Sequence, residues 1–415
     1  MNNFYYHDLQ SEVKIIKPDS IKKAKALGLT SSRFKNQEMS NSTKQIIQDA
    51  KKRDRTYMDL DEWGKSKYYQ TNWCKLLKEN CPDQIERINF QQISTDFFIQ
   101  NYEKQAKPCV ITNTTNHLEV EKYWTFGQLY ERYKDVKFKI GEDDKGKKIR
   151  VELKYFLEYL VHNTDDSPLY MFESAIEDIK EAKKMIEKYE VPKFFKEDIF
   201  QYIGEKKRPP YRWFLVGPER SGTTVHIDPL WTSAWNTSFQ GYKRWILFKP
   251  EVPKFIVKGK KYIPEGEDDD AIQYFTKILP QLIKEEGREK LGVIEFIQNP
   301  GETVFIPGGW WHAVINVTDT IAVTQNFMSS NNYTVVWRSL REERQKLAQY
   351  AIKKFKQRVP KMYDKIIELN RKDNHLMYYE KKKLRKKNMK KMNNFLNIIQ
   401  RSLLILQKKT QIFKQ

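Results

Sequence analysis

The sequence predicts an α+β protein with a mainly β core of the jelly-roll kind, flanked by N- and C-terminal helices. Between residues 211 and 327, short runs rich in β-branched and aromatic residues alternate with Gly and Pro, as in sandwiches and barrels. Residues 57–160 alternate between strand-like and helix-like patterns, and after residue 333 the apolar spacing becomes helical and the chain strongly basic.

Composition limits the class of protein. Hydrophobic residues make up 39% of the 415 residues, so a sizeable core can form although 31% are charged. A net charge of +21 favours a polyanionic partner, but much of the excess lies at the two ends and belongs mainly to the tails. With no apolar run typical of a signal peptide or a membrane span, and three cysteines outside any metal-finger spacing, we expect a soluble intracellular protein with no membrane partner.

Four segments follow from the changes in composition. Residues 1–56 are expected to form a polar, basic, loosely ordered arm, and residues 57–210 an α/β section that packs on the core. Residues 211–332 form the β core, and residues 333–415 a helical, basic C-terminal region. Eight Lys and Arg residues between Lys381 and Lys391 indicate a nuclear-import signal, an RNA-contacting arm or a solvated helix face. The C-terminal helices also offer a surface for forming a homo-oligomer.

The β core is predicted to contain short strands at residues 212–216, 223–227, 233–239, 243–248, 293–297, 302–306, 312–317 and 321–327. Upstream, a strand is predicted at 107–112 and helices at 123–133 and 154–161. The last two strands of the core resemble a hairpin that turns at residues 318–319. In that register His312 lies opposite Thr324 on one face of the sheet.

A metal site is indicated by His226 and Asp228, which lie two residues apart in a strand-like run. Residues i and i+2 of a strand point to the same face, so imidazole and carboxylate can converge on one ion. His312 follows a Gly-rich turn and supplies a second imidazole. Two His and one carboxylate leave further positions on the ion open, which favours a non-haem iron(II) oxygenase over a closed zinc site. The alternative is two ordinary histidines bonded to neighbours.

Iron chemistry of this type needs a two-electron donor such as 2-oxoglutarate, whose far carboxylate must meet a fixed cation because a buried unpaired charge is costly. Lys243, just before an apolar strand, is the candidate cation. Asn236, across the predicted turn at residues 240–241, and Thr324 can face the same pocket. Taken singly, each of the three is equally well an ordinary strand residue.

The motifs also carry a family resemblance. Residues 212–214, 217–218, 220–223, 226–230, 232–236, 240–245, 301–312 and 320–327, with 165–170 and 191–195 upstream, resemble the JmjC oxygenases over roughly the middle half of the chain. The resemblance implies a double-stranded β-helix (a cupin-like jelly roll). It also implies iron(II) held by His226, Asp228 and His312, with O2 and 2-oxoglutarate as cosubstrates. The positions that match the 2-oxoglutarate pocket are Lys243, Thr324, Asn236, Thr223 and Tyr170.

The activity that the resemblance implies is hydroxylation of lysine side chains in basic, Lys/Arg-rich splicing or histone proteins of the nucleus, or also of the cytoplasm. Arginine N-methyl demethylation by the same oxidant, a catalytically silent RNA- or chromatin-binding protein and a zinc cupin are the alternatives. Trp231 and Thr224 depart from the family pattern, which has glycine at both positions, and Trp231 is expected to narrow the substrate entrance. An acidic patch at residues 265–270 is either a site for a basic peptide or a solvated loop.

Overall fold

The computed structural model describes residues 6–263 and 270–412, and the chain divides into two compact units. The first unit consists of Met1–Asp198 and Pro209–Asn332, and the second of Ile199–Arg208 and Tyr333–Gln415. The sequence placed residues 199–208 in the α/β section, whereas the structure groups them with the C-terminal helices.

The strands all belong to the first unit and are β1 (Arg87–Asn89), β2 (Cys109–Thr112), β3 (Lys137–Glu142), β4 (Lys148–Glu152), β5 (Met171–Glu173), β6 (Arg212–Gly217), β7 (Gly222–His226), β8 (Ser233–Gln240), β9 (Lys243–Phe248), β10 (Ile294–Gln298), β11 (Thr303–Ile306), β12 (Trp311–Asn316) and β13 (Thr320–Phe327). A seven-stranded large sheet has the order β1-β2-β11-β8-β13-β6-β5, and a four-stranded small sheet has the order β10-β9-β12-β7. A separate ribbon pairs β3 with β4. Except for the parallel pair β1–β2, neighbouring strands are antiparallel.

The two main sheets share one core cluster, which defines the inner side of the jelly roll. In β9, alternate residues Lys243, Trp245 and Leu247 face this inner side, while Ile246 and Phe248 join a cluster on the outer side of the small sheet. This arrangement is the double-stranded β-helix that the sequence predicted. The same alternation turns one polar side chain, that of Lys243, into the interior.

The helices of the first unit are α1 (Tyr6–Ser11), α2 (Ser20–Ala26), α3 (Asn41–Asp54), α4 (Trp73–Glu79), α5 (Thr95–Phe98), α6 (Val120–Tyr123), α7 (Phe126–Tyr133), α8 (Leu153–His162), α9 (Lys183–Ile186), α10 (Lys254–Lys258), α11 (Ala271–Gln273), α12 (Leu279–Glu286) and α13 (Arg288–Leu291). The helix predicted at residues 123–133 corresponds to α7, which begins three residues later, at Phe126. The side chain of Thr125 caps its N-terminus.

The predicted hairpin between the last two core strands is wrong. Strand β12 pairs with β7 and β9 in the small sheet, and β13 pairs with β6 and β8 in the large sheet. The turn at residues 318–319 therefore carries the chain from one sheet to the other. Thr324 lies opposite Asn236 and Trp213, and not opposite His312.

The prediction of a loosely ordered N-terminal arm is also wrong for its described residues. Phe34 and Ile47 are almost fully buried and belong to the same core cluster as residues of α8. The polar residues of this segment have buried partners. Glu158 of α8 accepts hydrogen bonds from the side chains of Arg33 and Thr43, and Lys51 pairs with Asp165 at 2.6 Å. The segment contains a helix, α3, that packs on the core in spite of its polar composition.

Replacing Ile47 by alanine should lower the free energy of unfolding of the whole first unit by about 2–5 kcal/mol, because a buried side chain is lost and a cavity remains. Gln48, exposed in the same helix, provides the control substitution Gln48→Ala, which should change stability little. Chemical unfolding of the full chain measures both variants. Equal stability of the two would mean that the N-terminal segment is not part of the core.

The second unit is helical, with α14 (Tyr333–Glu343), α15 (Gln345–Arg358), α16 (Pro360–Lys372) and α17 (Tyr378–Ile412). Trp337 is completely buried, and its indole nitrogen donates to Asn370 Oδ1 at 2.8 Å. In α17, residues 382–400 are all exposed and include most of the predicted Lys and Arg cluster. Within the described part of the chain, no helix is both long and apolar enough to span a bilayer.

Candidate active site

Three side chains that could hold a metal ion converge at one end of the small sheet. His226 ends β7 and lies opposite His312 of β12, and the centroids of the two imidazole rings are 4.2 Å apart. Asp228 follows β7 by two residues, and its Oδ2 lies 4.0 Å from Nε2 of His312. One ligand atom from each of the three lies within 4.8 Å of the others, and the described residues contain no other such group.

Backbone contacts prepare both imidazoles for metal binding. Nδ1 of His226 lies 2.8 Å from the carbonyl oxygen of Thr224, and Nδ1 of His312 lies 3.1 Å from that of Trp310. Because a carbonyl oxygen only accepts, each Nδ1 carries the proton and each Nε2 keeps its lone pair for a ligand. Burial, and then the nearby His226, lower the pKa of His312 to about 4 and keep it neutral. Two imidazoles and a carboxylate fit iron(II).

A cavity of about 270 Å3 lies next to these three residues, and its lining comes from both sheets. Lys243 lies in the wall and is only 1% exposed. Its Nζ contacts Asn316 Oδ1 at 2.6 Å, Thr320 Oγ1 at 3.1 Å and the hydroxyl of Tyr170 at 3.3 Å. These partners are all neutral, and burial lowers the pKa of Lys243 from 10.5 to about 7. A buried ammonium with neutral partners is suited to bind a carboxylate.

The other residues assigned to the cosubstrate pocket, Asn236, Thr324, Thr223 and Tyr170, all line this cavity. Asn236 is 5% exposed, and its Oδ1 has no hydrogen-bond partner among the described residues. The hydroxyl of Thr324 donates to the carbonyl oxygen of Trp235 at 2.8 Å. The structure thus brings the predicted residues together, although Thr324 arrives from the large sheet and not through the predicted hairpin.

Asn316 and Thr320, which hold the Lys243 ammonium, were missed by the sequence analysis. Strand periodicity contained the signal for Asn316, because it follows His312 and Val314 at steps of two and therefore shares their face. Thr320 precedes Thr324 by four residues in β13, so the same periodicity places the two threonines on one face of the strand.

Of the predicted acidic patch, residues 265–269 lie outside the described residues. Asp270 is described, and both of its carboxylate oxygens accept hydrogen bonds from the guanidinium of Arg55, at 2.9 and 2.7 Å.

Comparison with known proteins agrees with this geometry. A family model described as the JmjC domain, hydroxylase, matches residues 213–327. The bifunctional arginine demethylase and lysyl-hydroxylase psr-1 of Caenorhabditis elegans is 40% identical over 282 residues, which cover 68% of this chain and 70% of that protein. Its counterpart in Caenorhabditis briggsae is 41% identical over 280 residues, with the same coverage.

A more distant relative is the 2-oxoglutarate and iron-dependent oxygenase JMJD4 homolog of Drosophila melanogaster, 29% identical over 157 residues that cover 37% of this chain and 33% of that protein. The matched family model spans the strands that carry His226, Asp228 and His312. The chain therefore belongs to the JmjC family of iron(II)- and 2-oxoglutarate-dependent oxygenases, and it is an enzyme of that class.

Proposed function

We propose that this oxygenase hydroxylates lysine side chains of basic proteins, with His226, Asp228 and His312 as the iron ligands. The observation that carries the proposal is the pairing, in one cavity, of a His–Asp–His group with the buried ammonium of Lys243. A zinc cupin needs no such ammonium, so this pairing favours 2-oxoglutarate as the cosubstrate.

When bound, iron(II) and 2-oxoglutarate supply an oxidant from O2 that inserts one oxygen atom into a C–H bond, while the other enters succinate as CO2 is released. The residues of the chain position the reactants. Lys243 would hold the far carboxylate, and the hydroxyls of Tyr170 and Thr320 keep its Nζ in position. Leu215 and Val314 add apolar surface to the lining, which disfavours water beside the reactants.

Lysine is proposed as the target because two relatives that are 40% and 41% identical to this chain carry lysyl-hydroxylase in their names. The same names include arginine demethylase, and hydroxylation of an N-methyl group followed by loss of formaldehyde uses the same oxidant. Substrates of either kind are basic, Lys/Arg-rich proteins such as splicing factors or histones.

Mass spectrometry of basic peptides incubated in air with the iron- and 2-oxoglutarate-loaded protein tests this function. Lysine hydroxylation adds one oxygen atom to a lysyl peptide, whereas demethylation converts methylarginine to arginine and releases formaldehyde. Unchanged peptides of both kinds would support the catalytically silent alternative and overturn the proposal.

We also propose that the enzyme acts in the nucleus and that the basic segment of α17 directs its import. The support is the exposure of residues 382–400, which leaves their Lys and Arg side chains accessible to an acidic receptor. Removing the residues after Tyr379 should abolish nuclear accumulation in cells, because the cluster is lost while the first unit stays intact. An unchanged distribution of the truncated chain would contradict the import proposal. RNA contact and homo-oligomer formation through the same helices stay predictions.

A further inference from the structure

The backbone between Asp228 and β8 has an unusual conformation. Leu230 and Trp231 both have positive φ, +58° and +55°, in the left-handed region that side chains with a Cβ rarely adopt. The resemblance to the JmjC oxygenases implies glycine at position 231, and this backbone conformation explains why glycine suits it. A tryptophan kept there despite the strain is a candidate functional residue.

Hydrogen bonds on both sides of Trp231 anchor its backbone. Its backbone nitrogen donates to the carbonyl oxygen of Asp228 at 3.1 Å. The next residue, Thr232, accepts a hydrogen bond at 2.8 Å from Asn326, which lines the cavity. The segment that presents Trp231 is therefore fixed to the site at both ends.

The turn that precedes His312 is shaped to fit this tryptophan. A Cβ on Gly309 would lie 2.9 Å from the indole ring of Trp231, and one on Gly308 would lie 2.2 Å from its carbonyl oxygen. The indole thus packs against the glycine turn that leads to His312. Asp228 and Pro229, which line the cavity, precede Trp231 by three and two residues. It stands beside the cavity and is not part of its wall.

The side chain of Trp231 is partly open to solvent. Trp231 is 40% exposed. Several other aromatic rings of the protein, in contrast, have a Lys or Arg side chain of the chain itself stacked over them. None of the described Lys and Arg side chains lies over the ring of Trp231. Tryptophan is the best aromatic partner for a cation. The ring of Trp231 is held by its neighbours and carries none of the described Lys and Arg side chains.

We propose that Trp231 is a specificity-determining residue that stacks on a Lys or Arg side chain of the substrate, next to the residue inserted for oxidation. The inference rests on the proposed function for its substrate class, and it adds a preference for a second cation in the substrate. Small residues at this position would lack that preference.

The test measures anaerobic binding of two peptides to the iron- and 2-oxoglutarate-loaded protein by calorimetry. Both peptides carry one central lysine, and they differ in flanking Lys/Arg or flanking alanine. Wild type should bind the basic peptide more tightly, and Trp231→Gly should weaken that binding about 2- to 30-fold, the range of a cation–π contact. Binding of the alanine-flanked peptide should change little.

Trp231→Phe is the matched variant, because it keeps an aromatic face and should retain most of the preference. Iron and 2-oxoglutarate affinities of both variants check that the site is intact, since a merely structural tryptophan would alter these as well. An equal preference in wild type and Trp231→Gly, or no preference in wild type, would overturn the inference. Binding preference without oxygen transfer in air would instead overturn the proposed function and leave the stacking role standing.

Discussion

Replacing His312 by alanine is expected to lower the affinity for iron(II) by at least about 100-fold, because even the loss of a partner that only supports a ligand can cost that much. Substrate oxidation should fall below detection. His312 is nearly buried and its Nε2 faces both His226 and Asp228, so the two remaining side chains cannot surround an ion on three sides. Anaerobic titration with iron(II) measures the affinity directly.

Two controls separate metal loss from unfolding. His312→Gln fills most of the same volume and should show the same defect without leaving a cavity. His117, which is exposed and does not belong to the metal-binding group, provides His117→Ala, for which iron affinity should stay unchanged. Iron binding by His312→Ala that equals that of wild type would remove this residue from the ligand set.

Replacing Lys243 by methionine should weaken 2-oxoglutarate binding by about 2–5 kcal/mol, or roughly 30-fold to several thousandfold, because the carboxylate would be buried without its cation. Iron affinity should be unaffected, since Lys243 contacts Asn316, Thr320 and Tyr170 and none of the metal-binding side chains. Lys249→Met, an exposed lysine just beyond β9, is the control. Equal cosubstrate affinity in Lys243→Met and wild type would contradict the assignment.

The pH dependence gives Lys243 a second signature. Burial lowers its pKa to about 7, so the free enzyme loses this charge as the pH rises above 7, and 2-oxoglutarate affinity should fall with it. Lys243→Met should lack this dependence. The free energy of unfolding changes with pH in the opposite direction to the 2-oxoglutarate affinity. Between pH 7 and 10.5 the unfolded state binds more protons than the folded state, so the free energy of unfolding rises with pH across that window.

The core strands could be predicted from the sequence because their signals are local. Each of the eight predicted strands of the core lies within one residue of the observed bounds, since β-branched runs and Gly or Pro breaks mark them. The metal group was found for the same reason. His226 and Asp228 are close in sequence, and the Gly308–Gly309 turn marks the start of the strand that carries His312.

Features that depend on distant contacts could not be predicted in this way. Strands β12 and β13 are adjacent in sequence but belong to different sheets, and no local pattern distinguishes that connection from a hairpin. The packing of helix α3 could not be predicted because its polar residues Thr43 and Lys51 bind carboxylates more than one hundred residues away, those of Glu158 and Asp165. Asn316 was visible by periodicity, but its role follows only from Lys243 lying on the adjacent strand.

The most direct test of the central claim is calorimetric titration of the protein with 2-oxoglutarate under anaerobic conditions, with and without iron(II). We expect one molecule to bind the iron-loaded wild type tightly. Binding should weaken without the metal and in His312→Gln, and it should weaken in Lys243→Met even when iron is bound. Failure of the iron-loaded wild type to bind 2-oxoglutarate would contradict the assignment of this cavity as the site of an oxygenase.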